Sequence, residues 1–339
     1  MSSTSPKERL LRVLEKKAID RPPVICTGGM MNAAIVDVME ATGRTLPEGH
    51  SDPALMAAIS TDVRNATGFE NVGIPFCMTV EAEVLGSEID FGSLACEPKI
   101  ARELYPSVSQ VAFRELGSML KSGRIATVVE AAHRLSRQHG DEPVIASLTG
   151  PVSTAASIVD PVTFLKELRK DPEGAHRVLT YVTDFLIGFA RELVDNGATI
   201  IAIGDPTATG EILGPRMFDD FAVTYLNRLV DGIHGLDAPV IVHICGKLQA
   251  VKGAIPRIHG DAISTDALVN LKLLKEEFPQ LVTMGNVSTF LLESGEADKV
   301  ARHTAQLVRD GVNIIAPACG LSTSSRLENI RAMTESVKS

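Results

Sequence analysis

Short apolar runs rich in Val and Ile recur along this chain, each followed by a loop and then a helix-patterned stretch. Val24–Thr27, Asn71–Phe76, Pro143–Leu148, Ala198–Ile203, Pro239–Ile244, Ala262–Thr265, Leu281–Met284 and Asn313–Ala316 all read as strands. Most are nearly continuous in apolar residues. A strand with one wet face alternates, whereas one buried on both faces does not. Strand, loop and helix repeated about eight times specify a parallel α/β fold. A single (β/α)8 TIM-type barrel over residues 1–339, with an N-terminal helical extension, fits the length and the even spacing. The doubly wound alternative expects a GxGxxG fingerprint after the first strand, and Cys26-Thr27-Gly28-Gly29 does not supply one.

The helical expectations follow from caps and periodicity. Ser5 and Pro6 open a helix running to about Lys17. Further helices are expected over Met30–Thr42, from Asp52-Pro53 to Ala66, and over Ser107–Leu120, Gly123–His139, Val162–Lys170, Pro172–Asn196, Pro215–Ile233, Leu248–Ile258 and Ala297–Arg309. Ser87–Pro106 looks irregular and reads as a hairpin or lid, since long loops in compact domains are often functional.

Bulk properties narrow the partners. The net charge is −9, which argues against nucleic acid or an anionic membrane. There is no Trp and only 4% aromatic residues, which disfavours stacking platforms for bases or sugars. The cysteines are Cys26, Cys77, Cys96, Cys245 and Cys319, an odd and widely spaced set. That is not a disulfide framework, so a reducing cytoplasm is expected. The first residues have an amphipathic pattern rather than that of a signal peptide, and no apolar run reaches about 18 residues.

The chemistry concentrates at two strand ends. In Pro239–Lys247, His243 and Cys245 lie two residues apart and therefore face the same way. Asn313–Gly320 delivers Cys319 from a second strand of the same design. Both cysteines are followed by glycine, as expected where backbone crowds a site. Buried cysteine is common in cores, so the pair alone says little. One imidazole and two thiolates together are a set that zinc favours when a fourth position stays open.

In a barrel, residues just past the strands line the mouth where catalysis occurs. Asp205, Asp266 and Asn286 occupy such positions. Asp266 is a candidate to orient the ligand histidine or to fill the fourth metal position, set against an ordinary helix cap. Asp205 stands in the same balance. His50, at the end of the loop Gly43–His50, is a candidate for the entrance, set against a surface or capping role. Glu130 lies on an apparently apolar helix and is expected to form a buried ion pair. Cys26, Cys77 and Cys96 read as core or loop residues. Asp184, Glu192 and Asp195 read as a solvated helix face.

At these residues the chain resembles the uroporphyrinogen decarboxylase superfamily, and within it the zinc-dependent methylcobamide:coenzyme M methyltransferases. The resemblance runs through PKERLLRVLEKKAIDRPPV, LPEGHSDPALMA, GFENVGIPFCMTVEAEVLG, GDPTATGEILGP, VIVHICG, MGNVS and APACG. It implies a zinc ion held by His243, Cys245 and Cys319, which activates a small thiol, most simply coenzyme M. The thiolate then takes a methyl group from methyl-Co(III) corrinoid. No corrinoid-binding Asp-x-His-x-x-Gly segment occurs, so the resemblance implies that a separate methylated corrinoid protein brings the cofactor.

The decarboxylases of the superfamily hold a polycarboxylate with an N-terminal arginine motif. The corresponding CTGGMMNAAIVDV contains no arginine, which argues against that reaction. Two other readings stay open: a different methyl acceptor such as tetrahydrofolate, and a non-catalytic zinc or corrinoid carrier.

Overall fold

The computed structural model describes residues 4–339. In chain order the strands are β1 (Val72–Ile74), β2 (Glu88–Asp90), β3 (Lys99–Arg102), β4 (Val144–Thr149), β5 (Ile200–Gly204), β6 (Val240–Ile244), β7 (Ala262–Thr265), β8 (Thr283–Val287) and β9 (Ile314–Pro317). Strands β1 and β4 to β9 form one curled sheet in the order β1-β4-β5-β6-β7-β8-β9. Every pairing in it is parallel. Strands β2 and β3 form a separate antiparallel hairpin within the stretch read as a hairpin or lid. Strands β4 to β9 are buried along their whole length, as sequences free of Asp, Glu, Lys and Arg allow. Each buried Val or Ile side chain is worth roughly 1.5–3 kcal/mol, and this repeated burial specifies the barrel.

The eighth position is filled by the segment 23–29, which is pinned rather than fully laddered. On one side Ile25 N donates to Ile315 O at 3.0 Å, and Ile315 N donates to Pro23 O at 2.9 Å. On the other side the Asn71 side chain stands in for backbone: its Oδ1 accepts from Cys26 N at 2.9 Å and its Nδ2 donates to Cys26 O at 2.8 Å. The approach to β1 is so close that a Cβ on Gly73 would lie 2.6 Å from Thr27 O.

The N-terminal helix Pro6–Leu14 is capped by Ser5 and ends three residues before the expected Lys17. Its buried Arg9 donates to Glu70 at 2.9 Å and to Asp20 at 2.8 Å. This ties the extension to the end of the barrel where β1 begins.

Several helical expectations fail for local reasons. Met30–Ile35 is not helical, and the helix spans only Val36–Thr42. Residues 31–35 are buried on all sides, with Asn32 Oδ1 accepting from Ala34 N, so their apolar character reflects a plugged mouth rather than one helix face. Ser107–Leu120 holds only the short 3-10 turns Val108–Gln110 and Met119–Lys121. There Ser107 and Glu115 bond nearby backbone N–H groups, and such bonds compete with a helix. Leu248–Ile258 forms a 3-10 turn over Lys252–Arg257, with Pro256 inside it. Pro215–Ile233 is divided into Gly210–Met217, a π turn Phe218–Val223 and Thr224–His234. Two short helices, Pro151–Ile158 and Thr289–Ser294, were not anticipated. Glu130 pairs with Arg134 at 2.8 Å, but both side chains are 45% exposed, so the expected buried pair is a surface one.

Candidate metal centre at the barrel mouth

His243 is the fourth residue of β6 and points into the barrel, where it is buried. Cys245 follows the strand by one residue, and Cys319 follows β9 by two. The turn after Cys245 needs glycine, because Gly246 has a φ of 72° and a Cβ there would meet Glu211 Oε2 at 2.3 Å. His243 Nε2 lies 3.2 Å from Cys245 Sγ, and Cys245 Sγ lies 4.0 Å from Cys319 Sγ. The three ligand atoms all fall within 4.8 Å of one another. Two sulfurs bound tetrahedrally at about 2.3 Å each stand about 3.8 Å apart, so the spacing already suits zinc. Among the described residues this is the one His/Cys/Asp/Glu group so arranged.

The thiols are electrostatically unequal. Cys319 is brought down to about 4, first by its hydrogen bond with Cys245, against an opposing effect of burial, and then by His243. Cys245 is pushed far up by the same hydrogen bond, by burial and by the negative charge of Cys319. Two thiolates this close repel, so the metal-free pair retains a proton between them. A cation binding both sulfurs must displace it.

Met30 completes the wall. Its Sδ lies 4.0 Å from Cys245 Sγ, and its carbonyl leaves no space for a side chain at residue 320, where a Cβ would be 2.3 Å away. A groove of about 620 Å³ lies between Gly320–Thr323 and the hairpin residues Ala95–Lys99. The hairpin is tethered there by Thr323 Oγ1 donating to Ala95 O at 2.9 Å and by Asn32 Nδ2 donating to Glu97 at 3.2 Å.

The other residues singled out in the sequence do not join this cluster. Asp266 is half-buried and its Oδ1 accepts from Leu268 N, a local turn contact at 2.9 Å. The side chain facing His243 Nδ1 is instead Ser264 Oγ, at 2.9 Å. Strand register carried that signal, since His243 and Ser264 are direct partners across β6 and β7. Asn286 donates from Nδ2 to the carbonyls of Asp266 and Val269, both at 2.8 Å, and so shapes the loop after β7. Asp205 accepts from Val152 N at 2.9 Å, Ser153 N at 2.8 Å and Ser153 Oγ at 2.6 Å. It thus caps the unanticipated helix Pro151–Ile158, and burial raises its pKa. His50 is buried in the 3-10 turn Glu48–His50, and its Nδ1 has no hydrogen-bond partner. Burial, then the nearby Arg124 charge, lowers it to about 4, so it is neutral at pH 7.

A family model described as uroporphyrinogen decarboxylase (URO-D) matches residues 5–339. The chain belongs to the uroporphyrinogen decarboxylase family. Its relatives in that family include methylcobamide:CoM methyltransferase MtbA of Methanosarcina acetivorans, 32% identical over 100% of this chain and 99% of the relative. Methylcobamide:CoM methyltransferase MtaA of Methanosarcina barkeri is 30% identical, covering 98% and 97% of the two chains. A solved methyltransferase from Methanosarcina mazei superposes with a TM-score of 0.92 at 28% identity, over 99% of both chains.

Proposed function

We infer that the protein is a methyltransferase that moves a methyl group from a methylated corrinoid to the thiol of coenzyme M. The observation that carries this reading is the convergence of His243, Cys245 and Cys319 at the mouth of a barrel of this family. The full-length likeness to two methylcobamide:CoM methyltransferases supports the donor and the acceptor.

Zinc suits the donor set, with Nε2 of His243 and both Sγ atoms as ligands. When bound, it would stabilise the acceptor's sulfur as a thiolate at neutral pH. His243, Cys245 and Cys319 would hold the ion with both cysteines as thiolates, whose two negative charges would offset its own and keep the acceptor sulfur electron-rich. Met30 and the buried floor of the barrel exclude water on one side. The acceptor sulfur attacks the methyl carbon in line with the carbon–cobalt bond, which gives the thioether and Co(I).

The corrinoid arrives on a separate protein. Leu268, on the loop after β7, and Phe290, in the helix Thr289–Ser294 after β8, are 65% and 75% exposed and offer that protein an apolar landing surface at the rim. A reducing cytoplasm is the fitting compartment, because two thiols 4.0 Å apart would otherwise be free to form a disulfide. No helix among the described residues is long and apolar enough to cross a membrane.

The deciding experiment is anaerobic loss of the methyl-Co(III) absorption with coenzyme M, other thiols or tetrahydrofolate as acceptor. Demethylation with coenzyme M that requires zinc is the expected result. Turnover with tetrahydrofolate alone, or turnover unaffected by His243→Ala, would overturn the reading.

A further inference from the structure

Ser264 is a fully buried polar group at the mouth, and nothing in the reaction above uses it. It sits beside His243 as its register partner on β7, so both side chains point into the barrel. Its Oγ lies 2.9 Å from His243 Nδ1 and 3.8 Å from Met31 Sδ. Met31 is buried as well. A thioether sulfur has no hydrogen and can only accept. The single hydroxyl hydrogen of Ser264 is therefore directed to Met31, which leaves an oxygen lone pair facing Nδ1. That lone pair needs a donor, and the imidazole supplies one when Nδ1 carries the hydrogen. Nε2, 3.2 Å from Cys245 Sγ, is then the free ligand atom.

We propose that Ser264, backed by Met31, is a positioning residue that holds His243 as the Nδ1–H tautomer with Nε2 aimed at the metal. It thereby sets the affinity of the triad for zinc. The inference rests on the zinc reading given above. A ligand imidazole must be neutral and correctly turned, and the group holding its second nitrogen supports both conditions. Asp266, two residues further on, is spent on its own loop and does not take this part.

The test uses the full-length protein and zinc itself, with affinity measured by competition against a chromogenic chelator. Ser264→Ala should weaken zinc binding about 10- to 100-fold. Ser264→Thr keeps the hydroxyl and should recover most of that loss. Met31→Leu removes only the acceptor of the hydroxyl hydrogen and should cost a few-fold. Independently of any variant, nitrogen-15 NMR of the zinc-loaded parent labelled at histidine should show Nε2 coordinated and Nδ1 protonated. This readout decides the question even if the threonine variant fails to fold. Unchanged zinc affinity in Ser264→Ala, or coordination through Nδ1, overturns the proposal while leaving the metal site standing. A parent protein that binds no zinc overturns the metal reading, and this proposal with it.

Discussion

The two halves of the barrel mouth treat their polar groups in opposite ways. Around β1, β4 and β5 the buried acids and bases are turned inward, and most are consumed by local hydrogen bonds. Glu81 accepts from Thr149 N at 2.7 Å and Thr149 Oγ1 at 3.0 Å. Asp205 caps a helix. Arg124 is buried against Glu83, Cys77 and Thr79. Around β6 to β9 the side chains turn toward one another and toward an opening, and apolar residues stand exposed on the rim. A charged residue at the end of a barrel strand is therefore ambiguous. It fixes the following loop if the neighbouring helix needs a cap, and it serves chemistry only where nothing else claims it.

This contrast can be broken in four places. Cys245→Ala or Cys319→Ala should remove most of the bound zinc and cut methyl transfer by more than about a thousandfold, since Lewis-acid assistance is worth several kcal/mol. Cys26→Ala, in the closed half, should keep its zinc. Metal analysis of the three purified variants checks this, and full zinc in both ligand variants would remove the open half's claim to the chemistry.

Next in size is the pair of aspartates. Asp205→Ala strands three buried donors and should cost about 4 kcal/mol in urea unfolding, with zinc content unchanged in the protein that remains folded. Asp266→Ala loses one half-exposed turn contact and should cost less than about 1 kcal/mol. Equal costs at the two positions would erase the distinction between the halves.

His50 gives a pH signature of the closed half. Its folded value is about 4, below the ordinary histidine value. The unfolded chain therefore binds a proton that the folded chain refuses in the window between about 6.5 and 4. Its contribution is fully present above about 6.5 and should fall by about 3 kcal/mol as pH drops through that window. Unfolding free energies at pH 7 and pH 4.5 should differ less in His50→Leu than in the parent by about that amount. The same pH dependence in both proteins would show that His50 is not the group responsible.

The smallest effect concerns the rim. Phe290→Ser should slow demethylation of a methylated corrinoid protein about tenfold, one lost apolar contact being worth 1–2 kcal/mol. Free methylcobalamin, which needs no docking surface, should react at the parent rate. A loss that is equal with both donors would move Phe290 from docking to the reaction itself.

The architecture was readable because β4 to β9 are rich in Val, Ile and Ala and carry no Asp, Glu, Lys or Arg, a pattern that leaves few alternatives. The triad was readable because His243 and Cys245 share one strand end and Cys319 closes another. What could not be read depended on contacts across the barrel. Asp205 finds its partners 52 and 53 residues away, in a helix too short to show a period. Ser264 is an unremarkable residue until strand register places it against His243. Met30–Ile35 imitates a helix because a segment buried on every side has the same composition as one buried on a single face.

One feature of the triad reaches beyond catalysis. His243 and Cys245 stand at the end of β6 and Cys319 follows β9, so β7 and β8 lie between the ligands in the sheet. An ion held by all three acts as a cross-link between segments 74 residues apart in the chain. Because the unfolded chain lacks that geometry, its binding energy adds directly to folding, as RT ln(1 + [Zn]/Kd). Chelation should therefore leave amide exchange in β1 and β4 nearly unchanged and accelerate it in β7 to β9. An ion that equipped the site for chemistry would also hold β7 to β9 in place.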